Sequence, residues 1–246
     1  MTQFGSYELG VSSDLTPPQP SIVKAAPGEE DALAPLGTHQ KVRELLDAKP
    51  GSVVADAGAG RGAFTRWLVE TGYRAIALGI DRYQFSANAP FIQCNLDESL
   101  PLADESVSAI VAVELIEHLE NPFRFIRDAT RCLAPSGTLL ISTPNVLSVS
   151  AKVSFIVRNY FVPFSDRDYY SNGHISPVQP DSIRRMAERC GLVVIATAYS
   201  AGKLPVPWLR HKVPLRASLF RNEWWADSVI VKLRKVGVAQ AKVVRG

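Results

Sequence analysis

Four side chains able to move protons or hold a cation stand in two short stretches of the chain. Glu114, Glu117 and His118 are spaced i, i+3 and i+4. On a helix, that spacing puts all three on one face. His174 follows much later, in Asn172-Gly173-His174-Ile175, where the chain can return to the same place. An imidazole titrates near neutrality and can accept the proton of a hydroxyl. Carboxylate and imidazole on one face can also offer oxygen and nitrogen ligands. Each histidine has a plainer reading beside this one. His118 can be a helix-start residue bonded to nearby backbone, and His174 can anchor its own loop.

A second group lies earlier, in Val53-Val54-Ala55-Asp56-Ala57-Gly58-Ala59-Gly60-Arg61-Gly62-Ala63-Phe64. A strand pattern runs into three glycines and a helix pattern opens behind them. Glycines permit a tight turn and a close backbone approach, and the next helix presents free N–H groups to a carboxylate or phosphate. Asp56 ends the strand with a carboxylate aimed at the same crevice. Asp81 ends the next strand, at the spacing of an acid that accepts hydrogen bonds from a ribose. Gly58, Gly60 and Ala63 equally satisfy the dinucleotide pattern G-x-G-x-x-A, so the turn alone leaves the nucleotide open.

These residues need a frame, and the chain supplies an alternating one. Strand patterns are read at Ser52–Ala55, Arg74–Ile80, Phe91–Cys94, Val107–Val113, Thr138–Ser142, Leu192–Ala198 and Ser228–Leu233. Helix patterns are read at Gly62–Glu70, Pro122–Leu133 and Pro180–Cys190, with another opening at Thr38 and stopped by Pro50-Gly51. Alternation of this kind predicts an α/β fold, doubly wound around a mostly parallel sheet. Arg82–Pro90 is too short for a full helix. Residues 1–35, rich in Pro, Ser, Gly and Ala, are expected to form a flexible N-terminal arm, and 36–246 a single domain. The stretches 146–172 and 202–226 exceed ordinary connections and are expected to form lids over the site.

Composition narrows the class. Hydrophobic residues make up 46% and charged residues 21%, the balance of an ordinary globular domain. The formal net charge of +3 is too small to argue for nucleic acid. Cys94, Cys132 and Cys190 are three and far apart, which fits a reducing compartment and neither a disulfide framework nor a zinc pattern. The opening residues lack a basic start followed by an apolar run, and no apolar stretch approaches the roughly 20 residues of a membrane span. A cytoplasmic protein is the expectation.

The stretch from Val53 to Asn145 resembles the class I S-adenosylmethionine-dependent methyltransferases. The resemblance is strongest to the branch that includes ubiquinone-biosynthesis and related small-molecule methyltransferases. It rests on the Asp56–Gly62 turn, Asn95-Leu96-Asp97 ahead of Leu100-Pro101-Leu102, the run Glu114–Pro122, the turn Leu133-Ala134-Pro135-Ser136-Gly137, and Ser142-Thr143-Pro144-Asn145. It implies a Rossmann-like seven-stranded sheet, mostly parallel with an antiparallel last strand, and S-adenosylmethionine as cofactor. Gly58, Gly60 and Gly62 would line its methionine part, with Asp56 fixing the ammonium. Asp81 would hold the ribose hydroxyls. Asn95, where the family usually has Asp, would read the adenine edge with the backbone of Leu96, and Asp97 is the rival reader. Glu114 joins the cofactor-binding set. Ser108 and Ser136 stand where the family commonly has Asp and Gly.

By that resemblance the reaction is methyl transfer to a small-molecule or lipid- or glycan-linked acceptor at oxygen, with His118, His174 and Glu117 as catalytic residues. Some relatives hold magnesium on the Glu-x-x-Glu-His pattern and many do without, so no metal is assigned. Aromatics beside cations in both lids suggest a partly apolar acceptor pocket with an anionic feature, and fit peripheral membrane contact equally well. The basic residues form no dense cluster that would point to RNA. Two other classes share part of the pattern: an NAD(P)-dependent Rossmann oxidoreductase, and a non-catalytic S-adenosylmethionine-binding regulator.

Overall fold

The computed structural model describes residues 34–201, 203–204, 213–214 and 222–236. Nearly all of the expected N-terminal arm and most of the second lid therefore lie outside the described residues.

A seven-stranded sheet is assembled from β1 (Val53–Ala57), β2 (Arg74–Gly79), β3 (Phe91–Gln93), β4 (Val107–Ala112), β5 (Leu133–Pro144), β6 (Leu192–Tyr199) and β7 (Ser228–Lys235). Their order across the sheet is β3-β2-β1-β4-β5-β7-β6. The first five pair in parallel, and β7 inserts antiparallel between β5 and β6. The central strands are mostly apolar and almost wholly buried because both faces are covered, as parallel sheets require. β5 begins earlier than its apolar run suggests. Pro135-Ser136-Gly137 does not precede the strand but lies within it, with Ser136 at φ 62. The pairing register with β4 shifts at the same place, between Val107 and Ala109.

The helices are α1 (Thr38–Leu45), α2 (Ala63–Glu70), α3 (Pro122–Cys132), α4 (Val149–Arg158), α5 (Asp166–Asn172), α6 (Pro180–Arg189) and the short α7 (Asn222–Trp225). One apolar cluster joins Leu78, Ile110 and Leu139 to Phe125 and Ile126 of α3 and Ile183 of α6. The other joins Val54, Val111 and Leu140 to Val42 of α1 and Phe64 and Leu68 of α2. α3 starts where its sequence says it should: Pro122 fits the first turn, and the Asn121 side chain accepts from the Arg124 N–H. α1 is tied to the sheet by Asp47, whose carboxylate meets the buried Lys232 at 2.7 Å.

The first expected lid folds as α4 and α5. Ser148 caps α4 and Ser165 caps α5 in a reciprocal capping box with Asp168. Described parts of the second lid are a two-residue ladder between Lys203–Leu204 and Val213–Pro214, and α7.

Candidate active site

Strand order reverses at β1, between β2 and β4, and ligands of doubly wound sheets sit at such a switch point beyond the carboxyl ends of the strands. A cleft of about 740 Å³ opens there. The glycine turn with Asp56, the end of β4 with Glu114, and the returning segments with His118 and His174 all line it.

Asp56 is buried at the end of β1, and the Thr65 hydroxyl donates to it at 2.5 Å. Burial raises its pKa to about 6, against the lowering effect of the Thr65 hydrogen bonds. A buried carboxylate at an open cleft is an incomplete arrangement, because a neighbouring cation would hold it ionised. Gly60, at φ +52, has open space where a Cβ would stand. α2 begins just behind with no side-chain cap on its first N–H groups. A ligand carrying both a carboxylate and an ammonium fits these complementary features.

Gly62 departs from its expected role, since it does not line the cleft. A Cβ there would lie 2.8 Å from Phe85 and from Ala87, so the residue is small to let the β2–β3 connection pack on the turn. Asp81 and Asn95 each lie two residues past the ends of their strands, β2 and β3. They follow Asp56 along the strand ends in the order β1, β2, β3, and, unlike Asp56, neither lines the main cleft. Asp81 accepts from the Tyr83 N–H at 2.8 Å. Asn95 is exposed, and its oxygen accepts from the Asp97 N–H, while Leu96 is buried. Asp97, the rival reader, spends its carboxylate on the N–H groups of Glu120 and Asn121.

The one-face arrangement of Glu114, Glu117 and His118 is corrected. Glu114 takes a left-handed φ of 48, and only a 3-10 turn, Ile116–His118, follows. Glu114 is thereby directed at the Ser142 hydroxyl, which donates to it at 2.8 Å. Burial, with help from Asp227, pushes its carboxyl up to about 7, against the hydrogen bonds of Ser142 and Ser228.

Glu117 points inward and is 0% exposed. Neither of its oxygens makes a hydrogen bond of good geometry, and the nearby Thr143 hydroxyl is equally unsatisfied. Burial, followed by the charge of Glu114, drives its pKa well above the carboxylate range.

His118 and His174 do meet, with ring centroids 4.9 Å apart. His118 Nδ1 lies 3.0 Å from the Gly173 carbonyl, and His174 Nδ1 lies 2.8 Å from the Pro163 carbonyl. A carbonyl can only accept, so in each ring Nδ1 is the nitrogen that carries a proton toward it. Burial lowers the His118 pKa, with His174 adding to the effect and backbone hydrogen bonds to Gly173 and Glu114 opposing it. The plainer readings of both histidines hold in part: each is bonded to backbone, and that bonding prepares the other nitrogen. Ligand atoms of Glu117, His118 and His174 lie within 4.8 Å of one another, and Glu114 stands outside that group.

Three further residues line the cleft without an expected role there; of these only Asn145 stands in a sequence motif. His39, on α1, is 7% exposed, sits edge-on to Phe64 and leaves its Nδ1 unsatisfied. Its spacing with Val42 and Leu46, i, i+3 and i+7, was the available sign that it faces inward. Asn145 donates from its amide to the carbonyls of Glu223 and Ala226, tying the end of β5 to α7. Asp227 adds a third carboxylate near Glu114.

A family model described as a methyltransferase domain matches residues 33–197. A probable S-adenosylmethionine-dependent methyltransferase of Mycobacterium tuberculosis is 36% identical over 120 residues, 46% of this chain and 43% of that protein. A ribosomal RNA small subunit methyltransferase H of Caulobacter vibrioides is 37% identical over 101 residues, 36% of this chain and 32% of its own. The chain thus spans less than half the length of these curated relatives. In fold, it superposes on a solved SAM-dependent methyltransferase from Archaeoglobus fulgidus with a TM-score of 0.61 at 18% identity, covering 80% of this chain and 92% of that one.

Proposed function

From the premise that this chain belongs to the class I S-adenosylmethionine-dependent methyltransferase family, we propose that it methylates an oxygen of a small-molecule or lipid- or glycan-linked acceptor held in the cleft. One observation carries the reading. A buried carboxylate with no cation partner among the described residues, Asp56, opens on the same cleft as two imidazoles whose Nδ1 atoms are held by backbone carbonyls. When bound, S-adenosylmethionine supplies a methyl group on cationic sulfur, which departs as a neutral thioether. The glycine turn and Asp56 would grip its amino-acid end, and Asp81 and Asn95 its nucleoside end. His118 Nε2 takes the acceptor's hydroxyl proton as the new C–O bond forms, and His174 keeps the ring in place. The lowered pKa of His118 favours the neutral, proton-accepting form at pH 7. Much of the remaining rate comes from alignment and exclusion of water by α4 and α5.

The name of the Caulobacter relative implies an RNA acceptor for that protein. Among the described residues, the cleft is lined by Asp56, Glu114 and Asp227 against one Arg or Lys, Arg61. A phosphate backbone would find one fixed cation among those residues.

One observation favours a metal-assisted version. Glu117 is fully buried with both oxygens unsatisfied, beside two imidazoles whose Nδ1 atoms are fixed by carbonyls, as metal-binding histidines usually are. Glu117, His118 and His174 would hold a divalent cation, which would lower the pKa of a bound hydroxyl and orient it.

The test is calorimetry with S-adenosylhomocysteine, then a labelled-methyl assay against metabolite and lipid extracts, with and without exhaustive chelation. The reading requires heat on binding and a labelled product. Heat with a pyridine dinucleotide alone overturns it in favour of an oxidoreductase. Binding without turnover favours a regulator, and turnover unchanged by chelation removes the metal.

A further inference from the structure

α4 is amphipathic with its apolar side outward. Val149, Val153, Ile156 and Val157 recur at i, i+4, i+7 and i+8, the period of a stripe that globular proteins bury. Here Val153 is 53% exposed, Ile156 79% and Val157 71%, while the residues turned inward are the small Ala151 and Ser154. Leu147, just before the helix, is exposed as well, and α7, packed against α4, exposes Trp224. Isolated exposed apolar residues are ordinary, but a stripe over successive turns is not.

Charge on this segment is one-sided. Between Val146 and Ser165 the sequence holds two cations, Lys152 and Arg158, and no acid. Both are exposed on α4. No helix among the described residues is long and apolar enough to cross a membrane. An apolar stripe flanked by cations suits a helix lying in the headgroup–acyl boundary of an anionic bilayer. The segment also reaches the cleft, because Ser148 and Ser150 at its start and Val162 and Pro163 after it are lining residues.

We propose that α4 docks the protein on an anionic membrane, with Val153, Ile156 and Val157 embedded and Lys152 and Arg158 against lipid phosphates. The methyl acceptor is then a lipid with a hydroxyl-bearing head that enters the cleft along α4 toward His118. The acceptor assignment rests on the methyl-transfer reading above, whereas the docking does not.

The test is flotation of the full chain with vesicles of phosphatidylcholine mixed with phosphatidylglycerol, compared with phosphatidylcholine alone. The wild type should float with the anionic vesicles and much less with the neutral ones. Lys152→Gln and Arg158→Gln should each weaken binding about fivefold. The triple variant Val153→Ser, Ile156→Ser, Val157→Ser should lose it, while melting temperature and S-adenosylhomocysteine affinity stay at wild-type values. A wild type that does not float, or a triple variant that floats as well, overturns the proposal. So does a triple variant that melts lower or turns a dimer into a monomer, since the stripe would then be covered by this chain or by a second copy. Flotation without any S-adenosylhomocysteine binding would support docking and refute the methyl-transfer reading instead.

Discussion

Replacing His39 with leucine tests the electrostatics of the cleft wall directly. Burial, with the Arg43 cation adding to it, lowers the His39 pKa from 6.5 to about 4. A depressed folded-state pKa means that the unfolded chain binds the proton first as pH falls. Stability from the neutral ring is therefore complete above about pH 6.5 and is lost progressively toward pH 4. With these two values the loss between pH 7.5 and pH 5.0 is about 2 kcal/mol. Asp56 runs the other way, because its pKa is raised to about 6 and its stabilising effect grows as pH drops. The wild-type pH profile alone would blur the two. In the difference between wild type and His39→Leu the Asp56 contribution cancels, since both proteins carry it. Leucine also preserves an apolar contact with Phe64 and removes the unsatisfied Nδ1. Urea unfolding followed by circular dichroism at both pH values gives the difference. His39→Leu should gain about 2 kcal/mol on the wild type in moving from pH 7.5 to 5.0. A gap that stays constant between the two pH values would refute the reasoning, because His39 would then titrate normally in the folded protein.

Three other outcomes are expected. His118→Gln should lower kcat by about 10²- to 10⁴-fold while leaving S-adenosylhomocysteine affinity unchanged by calorimetry, because its nitrogen acts on the acceptor. Gly62→Ala should cost about 2–4 kcal/mol by urea unfolding, since φ is +88 and the new methyl would press on Phe85 and Ala87; an unchanged midpoint would remove the packing role. Asp47→Ala should destabilise the fold by about 1–3 kcal/mol in the same assay, because it leaves the buried Lys232 with a lost partner; the conservative pair Asp47→Ala with Lys232→Met should recover most of the loss.

The sequence by itself determined the seven sheet strands and the helices α1, α2, α3 and α6, because apolar period and capping are local properties, but it showed 146–172, where α4 and α5 form, only as a long connection. Asn121-Pro122 starts α3 and the glycine turn joins β1 to α2, each from neighbours in the chain. It also put Asp56, Gly58 and Gly60 at the cleft, since a strand-turn-helix unit fixes where its own turn points. It did not determine what depends on distant chain. Glu114 and Glu117 read as partners of His118 on one face, yet Ser142 holds a left-handed Glu114 and separates it from the other two. Asp97 stands as the rival of Asn95 for a ligand contact, yet one of its carboxylate oxygens accepts from the backbone N–H groups of Glu120 and Asn121. His118 and His174, 56 positions apart, meet only because carbonyls of Gly173 and Pro163 orient their rings. His39 became a cleft residue only when α1 packed beside Phe64, and the stripe of α4, patterned for a core, was turned outward. Periodicity fixes which side chains share a face; what that face meets is decided by packing between segments far apart in the chain.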